Sequence, residues 1–287
     1  MRSRLTVALG RTARLAARVR GGGSGGTAFP GLVMERTYPG FLERTLSRLP
    51  RGVVVVSGTN GKTTTTKMVV QLLREQGLKV FTNRTGSNFV RGVLASLLTE
   101  VDAAGNLDAD IAVLELDEAH AVHFVARVRP RACLLLNVMR DQLDRFGEID
   151  YTASLLHSIA QATSDVVVLN GDDPRLAAPA FLEGVSARVV SFGAGEDLRS
   201  LFLSDDDLRT GLASPRDRGE GPGPRVTLEA INGQRATVRV DGTSHEVDFA
   251  IPGVHNLLNA CAALGAVLEV LGEDADLPGL LATLGTV

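Results

Sequence analysis

Val53-Val54-Val55-Val56-Ser57-Gly58-Thr59-Asn60-Gly61-Lys62-Thr63-Thr64 joins a continuously apolar run to a glycine-bracketed turn, and the turn to a stretch of helical spacing that reaches residue 76. Four successive valines suit a strand covered on both faces, since alternate side chains point to opposite sides. Strand, glycine loop and helix in that order make a phosphate site. Glycines let backbone N–H groups approach phosphate oxygens, the helix N-terminus adds positive potential, and Lys62 adds a point charge. Gly58, Thr59, Asn60, Gly61, Lys62, Thr63 and Thr64 are therefore the candidate nucleotide-binding residues, with the Thr63 hydroxyl as a Mg²⁺ ligand. The strict G-x-x-x-x-G-K-[ST] pattern has glycine where this chain has Val56.

Outward from that stretch, β-type and helical segments alternate. Strands are predicted at 79–82, 111–116, 132–137, 166–170 and 188–192, and helices at about 89–99, 119–127, 151–163 and 174–182. This rhythm predicts an α/β fold, a mostly parallel sheet with helices on both faces. Residues 193–224 break it with Asp205-Asp206-Asp207 and a Gly/Pro-rich run, and read as an exposed insertion. Segments at 225–228, 236–240 and 246–251, separated by Asn232-Gly233 and Asp241-Gly242, predict a small antiparallel β-meander. A helix over about 255–271 follows.

The chain has 287 residues, is 44% hydrophobic and carries a formal charge of −3, which suits a globular protein and argues against nucleic acid as a partner. No apolar run approaches the ~18–20 residues of a membrane span. Its two cysteines, Cys133 and Cys261, sit among apolar residues and cannot build a four-cysteine zinc site, so no zinc is expected. Lys62, Lys67 and Lys79 are the only lysines among 30 basic residues, which excludes lysine-dependent chemistry in the second half. His120 and His123, three apart on a helix, lack an obvious third metal ligand.

Residues 1–20 hold six arginines and no acid. Arg4, Arg11, Arg14 and Arg18 gather on one helical face, and Leu5, Leu9, Ala16 and Val19 on another. Two readings stay open: a helix resting on an anionic membrane surface, or a terminal helix packed on the domain with its arginines in water. Gly21-Gly22-Gly23-Ser24-Gly25-Gly26 reads as a hinge. The expected division is 1–50, basic helix and hinge segment, and 51–287, nucleotide-binding domain.

Gly58-Thr59-Asn60-Gly61-Lys62-Thr63 resembles the phosphate loop of the Mur ligases and of folylpolyglutamate synthases. Thr82-Asn83-Arg84-Thr85-Gly86-Ser87-Asn88, Leu114-Glu115-Leu116-Asp117-Glu118 and Arg140-Asp141-Gln142-Leu143-Asp144-Arg145 are similar to the MurT-like branch of the Mur ligases. The resemblance implies a P-loop Mur ligase central domain using ATP and Mg²⁺, with Glu115 a metal ligand at the carboxyl edge of the sheet. Gln142 stands where typical members have a metal-binding histidine and offers a carbonyl oxygen that Mg²⁺ accepts, so it is the third candidate metal ligand, while a carbamylated lysine found a little further on has no counterpart here. His255 and Asn256, in Gly253-Val254-His255-Asn256, match an adenine-side motif, the alternative being a helix cap in which Asn256 or His255 serves the backbone. Asn170-Gly171-Asp172-Asp173-Pro174 resembles a loop beside the nucleotide, or is a plain capping turn.

For function, the resemblance implies ATP-dependent amidation of the D-glutamate α-carboxylate of lipid II to D-isoglutamine. The route is an acyl phosphate, with ammonia from a GatD-type glutaminase partner, in the cytoplasm or at the inner face of the membrane. The C-terminal domain of such ligases is expected to be absent, the chain stopping where it should begin. A non-catalytic nucleotide-binding scaffold and a folylpolyglutamate-synthase-like ligase are the alternatives.

Overall fold

The computed structural model describes residues 2–19, 28–83, 87–139, 148–204, 207 and 223–286. The valine run becomes β1 (Val53–Ser57), every residue of which is buried. Val54 and Val56 face one hydrophobic core, and Val53 and Val55 face another. The two-sided burial explains why the run has no polar alternation.

Around β1 lie β2 (Val80–Thr82), β3 (Ile111–Glu115), β4 (Ala132–Leu135), β5 (Val166–Asn170), β6 (Arg188–Ala194), β7 (Val226–Asn232), β8 (Arg235–Val240) and β9 (Thr243–Asp248). Among the described residues these form one sheet in the order β2-β3-β1-β4-β5-β6-β7-β8-β9. The pairs from β2 through β7 are parallel and the last two antiparallel. The predicted parallel sheet is thus present. The meander is not a separate layer, because β7 pairs in parallel with β6 and carries the hairpins on as an extension of the same sheet.

One face of the sheet is covered by α4 (Lys62–Glu75) and by α9 (Val254–Leu271), whose apolar residues share the first core. By length and composition Val254–Asp274 is apolar enough to cross a membrane, which corrects the expectation that no segment is. It is nonetheless mostly buried inside the fold, as a core helix should be. The other face is covered by α5 (Val90–Glu100), α6 (Glu118–Val125) and α7 (Glu148–Ala162). Two helices the periodicity does not reveal, α2 (Ala28–Thr37) and α3 (Phe41–Leu46), bury Met34, Phe41, Leu42 and Leu46 in that same second core. The short helix α10 (Leu277–Leu284) closes the described chain.

Two local expectations need correction, and α1 fills in a packing that the sequence left open. The helix expected over 174–182 shrinks to α8 (Pro179–Leu182): Asp173 caps a single turn by accepting from the N–H groups of Arg175 and Leu176, and Pro179 holds Ala178 in extended backbone, which stops that turn from continuing. The supposed insertion contributes structure at its start, where β6 runs to Ala194 and a 3₁₀ turn follows over Glu196–Leu201. Most of the rest, like the glycine hinge at 21–26, lies outside the described residues. At the N-terminus α1 (Arg2–Val19) packs on α2, but not through its leucines. Ser3, Thr6, Val7 and Gly10 are the buried positions, while Leu5 and Leu9 point outward.

Candidate nucleotide site

In a parallel sheet the carboxyl ends of all strands reach one edge, and loops there can converge on a ligand. The loop leaving β1 does so under two backbone constraints. Gly58 has φ +131° and Gly61 φ +86°, conformations that side-chain-bearing residues rarely adopt. A Cβ on Gly58 would lie 3.0 Å from the backbone nitrogen of Asn137, and one on Gly61 would lie 2.9 Å from Asn259 Oδ1. The loop is therefore held tightly against the exit of β4 and against α9.

Asn137 fastens it from the β4 side. Its carbonyl accepts from the Thr59 N–H (3.0 Å), its Oδ1 accepts from the Asn60 N–H (2.9 Å), and its Nδ2 donates to the Asn60 carbonyl (3.1 Å). The Thr59 hydroxyl accepts from the Met139 N–H (3.0 Å). Beyond the loop, α4 begins at Lys62, and as in any helix its first-turn N–H groups lack intrahelical acceptors. Those groups and the positive end of the helix dipole face whatever the loop encloses.

Lys62 Nζ donates to the carbonyls of Gly58 (2.6 Å) and Thr59 (3.1 Å) and lies 3.5 Å from Asp117 and 3.9 Å from Glu118. The Thr63 hydroxyl donates to Glu115 Oε1 at 2.8 Å. Glu115 is the last residue of β3 and is buried. Two oxygens ~3 Å apart can occupy neighbouring vertices of a Mg²⁺ octahedron, whose metal–oxygen distances are ~2.1 Å. The pair therefore fits a hard divalent cation. Three carboxylates and one ammonium leave a negative excess that such a cation would offset.

Glu115 is in turn set by Asn83, just past β2. Asn83 Oδ1 accepts from the Glu115 N–H (2.9 Å), and Asn83 Nδ2 donates to the carbonyls of Glu115 (2.8 Å) and Ser87 (3.0 Å). Asn83 stands in a stretch whose family likeness is visible in sequence and Asn137 shortly before another, yet no role for either follows from residue type alone. Their signal is positional: each lies just past the carboxyl end of a strand, Asn83 after β2 and Asn137 after β4.

On the other side, His255 opens α9 with its ring 5.5 Å from that of Phe202, in a T-shaped arrangement. Asn256 Nδ2 donates to the Pro252 carbonyl (2.7 Å), so its carboxamide serves its own turn. One turn further, Asn259 abuts Gly61, which ties this end of α9 to the phosphate loop. Asp172 and Asp173 have structural partners. Asp172 accepts from the Ala194 N–H (2.6 Å), and Asp173 accepts from Val138, Arg175 and Leu176. Burial pushes the Asp173 carboxyl above its usual range, against those hydrogen bonds. Gln142 lies outside the described residues. Among the described residues no cluster of three His, Cys, Asp or Glu could hold a metal, and the His120 ring packs beside Phe89.

A model of the Mur ligase middle domain matches residues 56–267. The chain is 32% identical over 246 residues to the lipid II isoglutaminyl synthase (glutamine-hydrolyzing) subunit MurT of Streptococcus pneumoniae, covering 78% of this chain and 54% of that protein. To the UDP-N-acetylmuramoylalanine–D-glutamate ligase of Pelotomaculum thermopropionicum it is 30% identical over 235 residues, 80% of this chain and 43% of the relative. Its fold is similar to MurF of Thermotoga maritima solved in complex with ADP, with a TM-score of 0.63 and 21% identity over 88% of this chain and 52% of that one. The chain spans about half the length of the curated relatives it matches.

Proposed function

The chain belongs to the Mur ligases, ATP-dependent carbon–nitrogen ligases, through their middle domain, and from that premise we propose that it is the nucleotide-binding part of a lipid II amidating enzyme. The substrate is the α-carboxylate of D-glutamate in the lipid II stem peptide, and the product is D-isoglutamine. Ammonia comes from a GatD-type glutaminase partner, and the reaction belongs to peptidoglycan synthesis in the cytoplasm.

The observation that carries the nucleotide reading is the convergence of Lys62, Thr63 and Glu115 at the strand ends, under a loop that only glycines can shape. The likeness to MurT supports the choice of reaction. A carboxylate is a poor electrophile. Attack of its oxygen on the γ-phosphorus of ATP releases ADP and leaves an acyl phosphate. Ammonia then attacks the acyl carbon, phosphate departs, and the nitrogen loses a proton as the amide forms.

This chain's residues act on the first step. Lys62 would exchange its loop carbonyls for phosphate oxygens and draw charge from the transferring group. The first-turn N–H groups of α4 would orient the phosphates. Thr63 and Glu115 would hold Mg²⁺, which neutralises phosphate charge, while Asn83 keeps the Glu115 backbone in place.

The test combines the chain with a GatD-type glutaminase, glutamine, Mg²⁺, ATP and lipid II, and follows the stem peptide by mass spectrometry. Conversion of the acid to the amide, lost in Lys62→Ala, is expected. Nucleotide binding without amide would favour a scaffold, and addition of an amino acid in place of ammonia would favour an ordinary ligase.

A further inference from the structure

We propose that the outer face of α1 docks on an anionic lipid surface. The helix is attached to the domain by its small residues. Ser3, Thr6, Val7 and Gly10 are buried, Gly10 sits against Leu98 and Met34, and the Arg44 guanidinium donates to the Ser3 hydroxyl. Helical periodicity then turns the leucines outward. Leu5 is 62% exposed, Leu9 40% and Leu15 62%, with the exposed Ala8 and Ala16 between them. Positions 5, 8, 9, 12, 15 and 16 share one face along 18 residues, ~27 Å of helix, and Thr12, its one hydroxyl, donates to the Ala8 carbonyl (2.9 Å).

The stripe is bordered by cations. Arg4 and Arg11 lie along one side and Arg2 along the other, all three exposed. Arg11 Nη2 also donates to the Val101 carbonyl (2.9 Å), which ties one nitrogen of its guanidinium to the domain and leaves the others for the border of the stripe. Among the described residues neither Arg2 nor Arg4 makes an ion pair. The first acidic residue of the chain is Glu35, although the whole chain carries −3. The first turn of α1 therefore concentrates positive charge at one end of an otherwise acidic protein.

An aliphatic stripe with guanidinium groups on both borders suits a helix lying in the plane of a bilayer. The leucines enter the boundary between headgroups and acyl chains, and the arginines meet lipid phosphates. The complementarity is to negative charge spread along both sides of the helix, which an anionic lipid surface offers. The inner face stays bound to the domain, so docking needs no unfolding. This inference stands apart from the ligase reading, because it is read without catalysis.

The test sediments the full chain with vesicles of phosphatidylcholine alone or mixed with phosphatidylglycerol, at low and high salt. The bound fraction should rise at least about tenfold with the anionic lipid and fall with salt. Leu5→Ser/Leu9→Ser/Leu15→Ser and Arg2→Glu/Arg4→Glu should each lower it about tenfold with the melting temperature unchanged, since these side chains are exposed. Equal binding to both vesicles, binding by neither, or variants that bind like the parent would overturn the proposal. So would a chain that dimerises through the leucines and ignores vesicles, because the stripe would then belong to a second copy.

Discussion

Asn83→Ala removes the side chain that makes three hydrogen bonds and fixes both backbone groups of Glu115. Asn83 and Glu115 are both buried, so water does not readily replace the missing partners. At a net ~1 kcal/mol per bond the loss is about 3 kcal/mol, and leaving buried backbone groups unpaired pushes it no lower. A chain of this size should lose roughly 6–12 °C in melting temperature. The displaced Glu115 carboxylate should also lose Mg²⁺-dependent nucleotide affinity. Asn83→Asp separates the two effects. It keeps an acceptor for the Glu115 N–H but turns oxygen toward the carbonyls of Glu115 and Ser87, so it should weaken the site nearly as much. Differential scanning fluorimetry with and without Mg²⁺-ADP reads both. A melting point within about 2 °C of the parent, less than 1 kcal/mol on that scale, would refute the reasoning.

Glu35 accepts from Arg91 and Arg127, and these partners hold its carboxyl below the usual range, Arg91 most strongly. A lowered folded value means its stabilisation is complete above the ordinary glutamate pKa of ~4.3 and is lost as pH falls through the folded value. Melting curves from neutral pH downward should show this loss, and Glu35→Gln should flatten it. Glu269 on α9, nearly fully buried, pairs with Arg188 of β6 and with Arg225, just before β7. Glu269→Gln should cost about 3 kcal/mol, the low end for a buried pair, because the mostly exposed Arg188 can turn to water. A urea midpoint that implies under ~1 kcal/mol would refute it. Burial pushes the thiols of Cys133 and Cys261 up to about 12. A thiol reagent added to the folded chain at neutral pH should therefore label neither one, and full labelling should appear only in denaturant.

The strands were legible because two-sided burial leaves runs such as Val53–Val56 and Val166–Leu169 without polar interruption. Their order was not, since neighbours are chosen by crossovers and not by the strands themselves. Helix α2 is hidden in the sequence because Pro30 and Gly31 interrupt its pattern, while packing against α5 overrides local propensity. Over 174–182 the difference runs the other way, as a helical-looking stretch is cut at Ala178, which Pro179 keeps extended.

For α1 the sequence leaves two readings open, and close approach to Met34 and Leu98 favours Gly10 and its small neighbours as the packed face. At the site, Lys62 and Thr63 announce themselves by spacing. Asn83 and Asn137 do not, because a clamp is defined by the backbone it holds, and that backbone belongs to a different strand.

The central claim is that the loop between β1 and α4 grips the phosphates of a magnesium-bound nucleotide. Isothermal titration of the folded chain with ATP, with and without Mg²⁺, tests it most directly. Saturable heat that weakens without Mg²⁺ and vanishes in Lys62→Ala is the expected result. Absence of heat at millimolar ATP, or binding that Lys62→Ala leaves unchanged, would contradict it.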